Sequence, residues 1–322
     1  MDKILKVQEL SVAFGHPKKS VEAVRFLSFE VGKGEILGVV GESACGKTVT
    51  CRAILRLNKG ANTDGSIVFD GQDILKLDES ALRKIRGSRI AMVFQDPTSS
   101  LNPVVKIGKQ IIEVIRYHQN VSKVEAEEIA ISLLKDMEIE SPKEKMVQYP
   151  FQQSGGVNQR IMIAIALSCD PDILIADEPT SALDVTVQKQ ILQIFSKLRE
   201  EKDIGIIFVT HDFGVIYEIA DRIMVMYRGM MMEEGETKEV FEYPLHPYTK
   251  LLLSSIPLYG KNIEIASEKS ALNQSNGNMV DGCSFAHRCT EIMGKECTTE
   301  IISINGTAHK VRCYKYNDKN LP

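Results

Sequence analysis

The sequence predicts an α/β fold, on three observations. Four short apolar runs, residues 36–40, 90–94, 173–176 and 205–209, read as buried strands, and helical patterns lie between them. The first run enters a loop bounded by glycines, Gly41 to Gly46. The third delivers two adjacent carboxylates, Asp177 and Glu178, at its C-terminal end, where α/β sheets place their ligands.

The 322 residues are enough for two or three substructures around a sizeable core. A net charge of -4 and a pI near 6.0 give no global basic footprint, which argues against a dedicated nucleic-acid binder. The opening MDKILKVQEL lacks a signal-peptide apolar region, and no apolar run approaches the roughly 18 residues of a membrane span. On that basis the seven cysteines point to thiol or metal chemistry in a reducing compartment rather than to disulfides.

In chain order, residues 3–14 and 26–36 read as β-rich segments joined by a polar loop through His16, Pro17, Lys18 and Lys19. The run 36–40 leads into Gly41, Glu42, Ser43, Ala44, Cys45, Gly46, Lys47 and Thr48, matching G-x-x-x-x-G-K-S/T, with a helical pattern through Leu57. In such a loop backbone amides wrap phosphates, the lysine reaches the β and γ groups, and the hydroxyl ligates Mg2+. A strand before and a helix after argue against a chance match. Cys45 reads as a small filler of the loop.

Residues 60–88 read as strand, turn and short helix, and the run 90–94 ends at Gln95, Asp96 and Pro97. Residues 104–149 are helical and charged. Ser122 and Glu125 form a capping box opening an amphipathic helix to about Met137, and Glu125, Glu127 and Glu128 read as its solvated face.

Ser154, Gly155 and Gly156 then start a helix whose bare amides and dipole suit a phosphate. After Asp177 and Glu178, Pro179 and Thr180 break the chain. Ser181 to Asp184 turn it into an amphipathic helix over 185–198. The run 205–209 ends at Thr210, His211 and Asp212. Residues 223–227 and 230–232 read as a hairpin about Arg228 and Gly229, its methionines filling core rather than binding metal.

The core is expected to end near Pro257, and 261–279 is Asn/Ser-rich linker-like sequence. Beyond it, Cys283, Cys289, Cys297 and Cys313 fall within 31 residues, where even spreading predicts fewer than one. Five, seven and fifteen residues separate them, without the short C-x2-C of common zinc and ferredoxin sites. The local pattern leaves an iron–sulfur cluster, a zinc site and unliganded thiols all open.

In this order the motifs resemble those of ABC-type ATPases: Walker A at 41–48, a Q-loop at Gln95, then signature, Walker B and D-loop over 154–184. The stretch FQDPTSSLNP, like His246-Pro247-Tyr248-Thr249, is similar to the subgroup that imports di- and oligopeptides and nickel. The resemblance spans about residues 3–313. It implies a RecA-like P-loop NTPase core with an antiparallel β subdomain, a helical insertion over about 96–158 and a small cysteine-rich C-terminal domain. The ATPase domain would occupy 1–257, and the linker and four-cysteine domain 258–322.

The resemblance also assigns roles. Phe14, whose local reading is equally a packed strand residue, would stack on adenine. Residues 41–48 would hold ATP, with Thr48, Gln95 and Asp177 at Mg2+. Glu178 would polarise the hydrolytic water, helped by Gln95, and His211 would contact the γ-phosphate. Ser154, Gly155, Gly156 and Asp184 would act across a dimer. Cys283, Cys289, Cys297 and Cys313 would carry a 4Fe-4S cluster, with zinc the alternative. Three positions depart from the family pattern: Ala44 stands where glycine is usual, Gln153 replaces leucine and Val157 replaces glutamine.

The function implied is ATP hydrolysis that energises di- and oligopeptide import from the cytoplasmic face of the membrane. The partners implied are a related ATPase subunit or a second copy, two transmembrane permease subunits and, indirectly, an extracytoplasmic binding protein, with no nucleic acid. One alternative keeps the engine and imports nickel or a metal chelate, since Tyr149-Pro150-Phe151-Gln152 resembles nickel-type sequences. Another is a soluble ABC ATPase of translation or repair, but neither a second cassette nor a long coiled-coil insertion is visible.

Overall fold

The computed structural model describes residues 3–16, 20–181, 183–255, 282–299, 304 and 306–316. Strands β1 (Lys3–Phe14) and β2 (Val21–Gly32) pair antiparallel, from Lys3 opposite Gly32 to Phe14 opposite Val21. The strand expected over 26–36 is thus two elements. Pairing with β1 carries β2 back to Val21, and Gly34 (φ 60°) turns the chain before β3 (Ile36–Val40). A Cβ at Gly34 would lie 2.7 Å from Asp203 Oδ1 in a left-handed conformation, so this turn favours glycine.

Helix α1 (Lys47–Ile54) stops short of the expected Leu57. Arg56 takes φ 50°, and the Leu57 N–H donates back to the Arg52 carbonyl at 2.8 Å, closing the helix end. Strands β4 (Ala61–Phe69) and β5 (Gln72–Asp73), helix α2 (Glu79–Ile85) and strand β6 (Ile90–Val93) follow.

Five helices lie between β6 and the next strand: α3 (Pro97–Ser100), α4 (Ile107–His118), α5 (Lys123–Asp136), α6 (Pro142–Val147) and α7 (Gly155–Leu167). The Ser122 capping box forms in both directions, Ser122 Oγ accepting from Glu125 N–H at 3.3 Å and Glu125 Oε2 from Ser122 N–H at 2.8 Å. Ile107, Ile111 and Ile115 of α4 bury with Ala126, Ala130 and Leu134 of α5 at helical spacing.

The chain continues through β7 (Ile173–Asp177), α8 (Val185–Lys202), β8 (Gly205–Thr210), α9 (Phe213–Ile219), β9 (Arg222–Tyr227) and β10 (Met230–Glu236). Helices α10 (Thr237–Glu242), α11 (Pro247–Ser254) and α12 (Glu296–Thr299) and strand β11 (Lys310–Val311) complete it. The smaller sheet is ordered β2-β1-β4-β5 and is antiparallel. The larger is ordered β11-β10-β9-β3-β8-β7-β6, parallel from β9 to β6 and antiparallel at β10 and β11.

Successive residues of the central strands serve opposite faces, as the period of two requires. Ile36, Val40, Leu174, Ala176, Ile206 and Phe208 join a core with α4, α5, α7 and α8. Leu37, Val39, Ile173, Ile175, Ile207 and Val209 join another with α1 and the smaller sheet. The C-terminal segment enters the first core through Cys283, Phe285, Ala286 and Cys297 and adds β11 to the sheet edge, Glu233 opposite Val311. The expected Pro257 boundary and 261–279 linker lie outside the described residues. Among the described residues no helix is long and apolar enough to cross a membrane.

Candidate nucleotide site

Strand register assembles the site. Val93 stands opposite Ala176, Asp177 opposite Val209, and Val209 opposite Val39. The residues that leave these strands, Gln95, Glu178, His211 and Gly41, therefore emerge along one edge of the sheet.

The loop from Gly41 to Gly46 needs its terminal glycines. A Cβ at Gly41 would lie 2.2 Å from the Met226 carbonyl oxygen, and one at Gly46 (φ 107°) 2.5 Å from that of Ala23. Ala44 adopts φ 63° without being glycine. Lys47, only 5% exposed, curls into the loop and donates from Nζ to the Gly41 carbonyl at 2.7 Å and the Glu42 carbonyl at 3.0 Å. Burial pushes the Cys45 thiol up, with the Lys47 charge opposing, so it sits there neutral.

Behind the loop, Thr48 Oγ1 donates to Asp177 Oδ1 at 3.0 Å. Burial raises the Asp177 carboxyl, the Thr48 hydrogen bond pulls it back, and the Glu178 charge raises it further. A buried carboxylate beside a hydroxyl is a hard-oxygen pair that suits Mg2+, which keeps waters and phosphate oxygens as its other ligands. Glu178 takes φ 48°, a region sparsely populated outside glycine and met at functional sites. Its N–H donates to the Val209 carbonyl at 2.9 Å. Its Oε2 accepts from Gln95 Nε2 at 3.1 Å and lies 3.5 Å from His211 Nδ1. A carboxylate hydrogen-bonded to an amide, with an imidazole beside it, is aimed rather than free.

The other expected residues do not join this cluster. Ser154 Oγ accepts from Val157 N–H at 3.3 Å as the cap of α7, and Gly155 is open to solvent. A Cβ at Gly156 would lie 2.7 Å from Val187, so glycine there lets α7 and α8 approach. Asp184 Oδ1 accepts from the N–H groups of Thr186 and Val187, both at 3.0 Å, and caps α8. Among the described residues no hydrogen bond joins Ser154, Gly155, Gly156 or Asp184 to the phosphate loop. Phe14 is half-buried at the end of β1, opposite Val21 and Ala61.

Sequence reasoning missed two residues that touch the loop. The Tyr248 hydroxyl accepts from Glu42 N–H at 3.1 Å, and Arg288 Nη1 donates to Glu42 Oε1 at 2.9 Å. Tyr248 stands in the His246-Pro247-Tyr248-Thr249 stretch noted in the sequence, but no local pattern gives either contact, for the bonds to Glu42 span 206 positions of chain from Tyr248 and 246 from Arg288.

The four C-terminal cysteines are free thiols lining one cavity of about 20 Å³, together with His246 and Glu291. Burial pushes Cys283 up to about 11 and raises Cys289 and Cys313 as well. His246 Nδ1 accepts from Tyr248 N–H at 3.0 Å, its Nε2 lies 3.9 Å from Cys283 Sγ, and burial pushes it down to about 4. Among the described residues no group of three or more His, Cys, Asp or Glu is arranged to hold a metal ion. The donor chemistry is nevertheless that of a soft ion, which would draw the protons from these thiols as it bound.

Residues 24–181 match a family model described as ABC transporter, and residues 232–297 one described as oligopeptide/dipeptide transporter, C-terminal region. The dipeptide transport ATP-binding protein DppD of Bacillus subtilis (strain 168) is 44% identical over 299 residues, covering 91% of this chain and 88% of that protein. The oligopeptide transport ATP-binding protein AppD of the same organism is 41% identical over 324 residues, covering 99% and 98%. A solved ATP-binding cassette, dimeric in a post-hydrolysis state with ADP and Pi, superposes with a TM-score of 0.66 at 28% identity. That match covers 72% of this chain and 98% of that one.

Proposed function

Because the chain belongs to the ABC-transporter ATPases of the dipeptide and oligopeptide type, we propose that it hydrolyses ATP to drive import of di- and oligopeptides. It does so as a peripheral subunit on the cytoplasmic face of the membrane, bound to two permease subunits. The observation that carries the reading is Glu178, aimed by Gln95 and His211 at the strand edge beside the phosphate loop.

In this reading residues 41–48 wrap the phosphates and Lys47 turns from the loop carbonyls to the β and γ groups. Mg2+ held at Thr48 and Asp177, with Gln95 nearby, supplies neutralisation of the phosphate charge. Glu178 orients the hydrolytic water and polarises it, and His211 meets the γ-phosphate. Phe14 lies against adenine. The exposed Ser154, Gly155 and Asp184, with Gly156, serve the nucleotide of a partner ATPase, related or identical.

Cys283, Cys289, Cys297 and Cys313 hold a 4Fe-4S cluster in this reading, with zinc the alternative. Thiolate ligation there fastens a small C-terminal domain onto His246 and Tyr248 beside the phosphate loop.

Glu178→Gln should bind ATP as tightly as the wild type while turnover falls by about 10²–10⁴-fold. Near-normal hydrolysis would remove Glu178 from its role. Uptake of labelled peptides and of nickel, in cells with and without this chain, tests the cargo. Loss of peptide uptake alone is expected, and loss of nickel uptake alone would replace peptides by metal.

A further inference from the structure

Glu42 is held at both ends from outside its own loop. Its N–H donates to the Tyr248 hydroxyl at 3.1 Å, and its carboxylate accepts from Arg288 Nη1 at 2.9 and 3.0 Å. The support behind these contacts is rigid. Tyr248 is fully buried, and its ring centroid lies 4.6 Å from that of Tyr227 and 5.2 Å from that of Phe285. The Arg288 guanidinium sits 5.6 Å from the Phe285 centroid and 5.8 Å from that of Tyr227.

The side chains of Arg288 and Glu42 are 34% and 40% exposed, so their pair adds little to the stability of the whole chain. Its local consequence is larger. Glu42 places a negative charge in a loop shaped to receive several more, and Arg288 both neutralises that charge and ties the loop down. A loop ordered beforehand loses less freedom when phosphate arrives.

We propose that Arg288 is a positioning residue for the nucleotide site, holding the Glu42 carboxylate so that the phosphate loop accepts ATP. ATP affinity then depends on a side chain of the C-terminal segment. This rests on the ATP reading above.

The test measures binding of a fluorescent ATP analogue with Mg2+ to the full chain, comparing wild type, Arg288→Ala, Glu42→Gln and the double variant. Arg288→Ala should weaken binding about threefold, the scale of a half-exposed ion pair. In the Glu42→Gln background, where no carboxylate is left uncompensated, the same change should have almost no effect. In the assembled transporter the KM for ATP should rise while kcat holds. An equal loss in both backgrounds, or no loss in either, overturns the proposal. Should Arg288→Ala fail to fold, Arg288→Gln runs the same cycle, since it keeps much of the packing on Phe285 and Tyr227. Failure of the wild type itself to bind the analogue would refute the ATP reading instead.

Discussion

The strand edge at Gly41, Asp177 and Glu178 and the cavity at Cys283, Cys289, Cys297 and Cys313 both gather residues from distant parts of the chain, but they are built on opposite terms. At the strand edge every functional group already has a partner: Lys47 on two carbonyls, Thr48 on Asp177, Gln95 on Glu178. In the cavity burial raises the Cys283, Cys289 and Cys313 thiols, and the four cysteines make no metal-holding arrangement among the described residues. A parallel sheet fixes the first by register. The second hangs on short helices and one two-residue strand, and it needs an added ligand to become a site.

The most direct way to break that contrast is to ask whether the cavity takes such a ligand. Chain purified without oxygen should carry about one metal group, and Cys289→Ser with Cys313→Ser should reduce this to none. Metal analysis reads the content, and visible absorbance separates iron–sulfur from zinc. Metal-free chain whose residues 282–316 stay protected from amide exchange would make the cavity an ordinary thiol core.

A smaller effect should come from His309, which ties the C-terminal segment to β10. Burial lowers its pKa, but Glu233 at 2.7 Å and Glu239 at 3.4 Å outweigh burial and hold it above its ordinary value. Protonated His309 therefore favours the fold. Its contribution is complete below the unfolded value of about 6.5 and is lost as pH rises through the raised folded value. Amide exchange of residues 306–316, corrected for its intrinsic pH dependence, should speed up across that range. His309→Gln should abolish the dependence, and a persisting one would place the titrating group elsewhere.

The same contrast separates what the sequence revealed from what it withheld. The strand edge was legible because apolar runs of four or five residues and glycine spacing are local signals with local causes, as the Ser122–Glu125 pair is for α5. Its boundaries were less so. The end of α1 depends on Arg56 entering a left-handed conformation, and the start of β2 on pairing with β1. At the C-terminal end almost nothing was legible beyond the clustering of cysteines. A two-residue strand has no period, and neither Arg288 meeting Glu42 nor His309 meeting Glu233 leaves a trace in neighbouring residues.

The finest distinction concerns how much strain the strand edge carries. Ala44, exposed at φ 63°, bears a Cβ where the loop's backbone favours none, at a cost of about 1–2 kcal/mol. Glycine would remove that cost but give the unfolded chain more freedom, returning about 0.4–1 kcal/mol. Ala44→Gly should therefore stabilise the nucleotide-free chain by no more than about 1.6 kcal/mol, seen as a small rise in the denaturant midpoint. Saturating ATP should narrow the difference if bound phosphate offsets the strain in the wild type. A lower midpoint for Ala44→Gly would mean that the hydrogen bonds of Lys47, Tyr248 and Arg288 already hold the loop so firmly that glycine only loosens it.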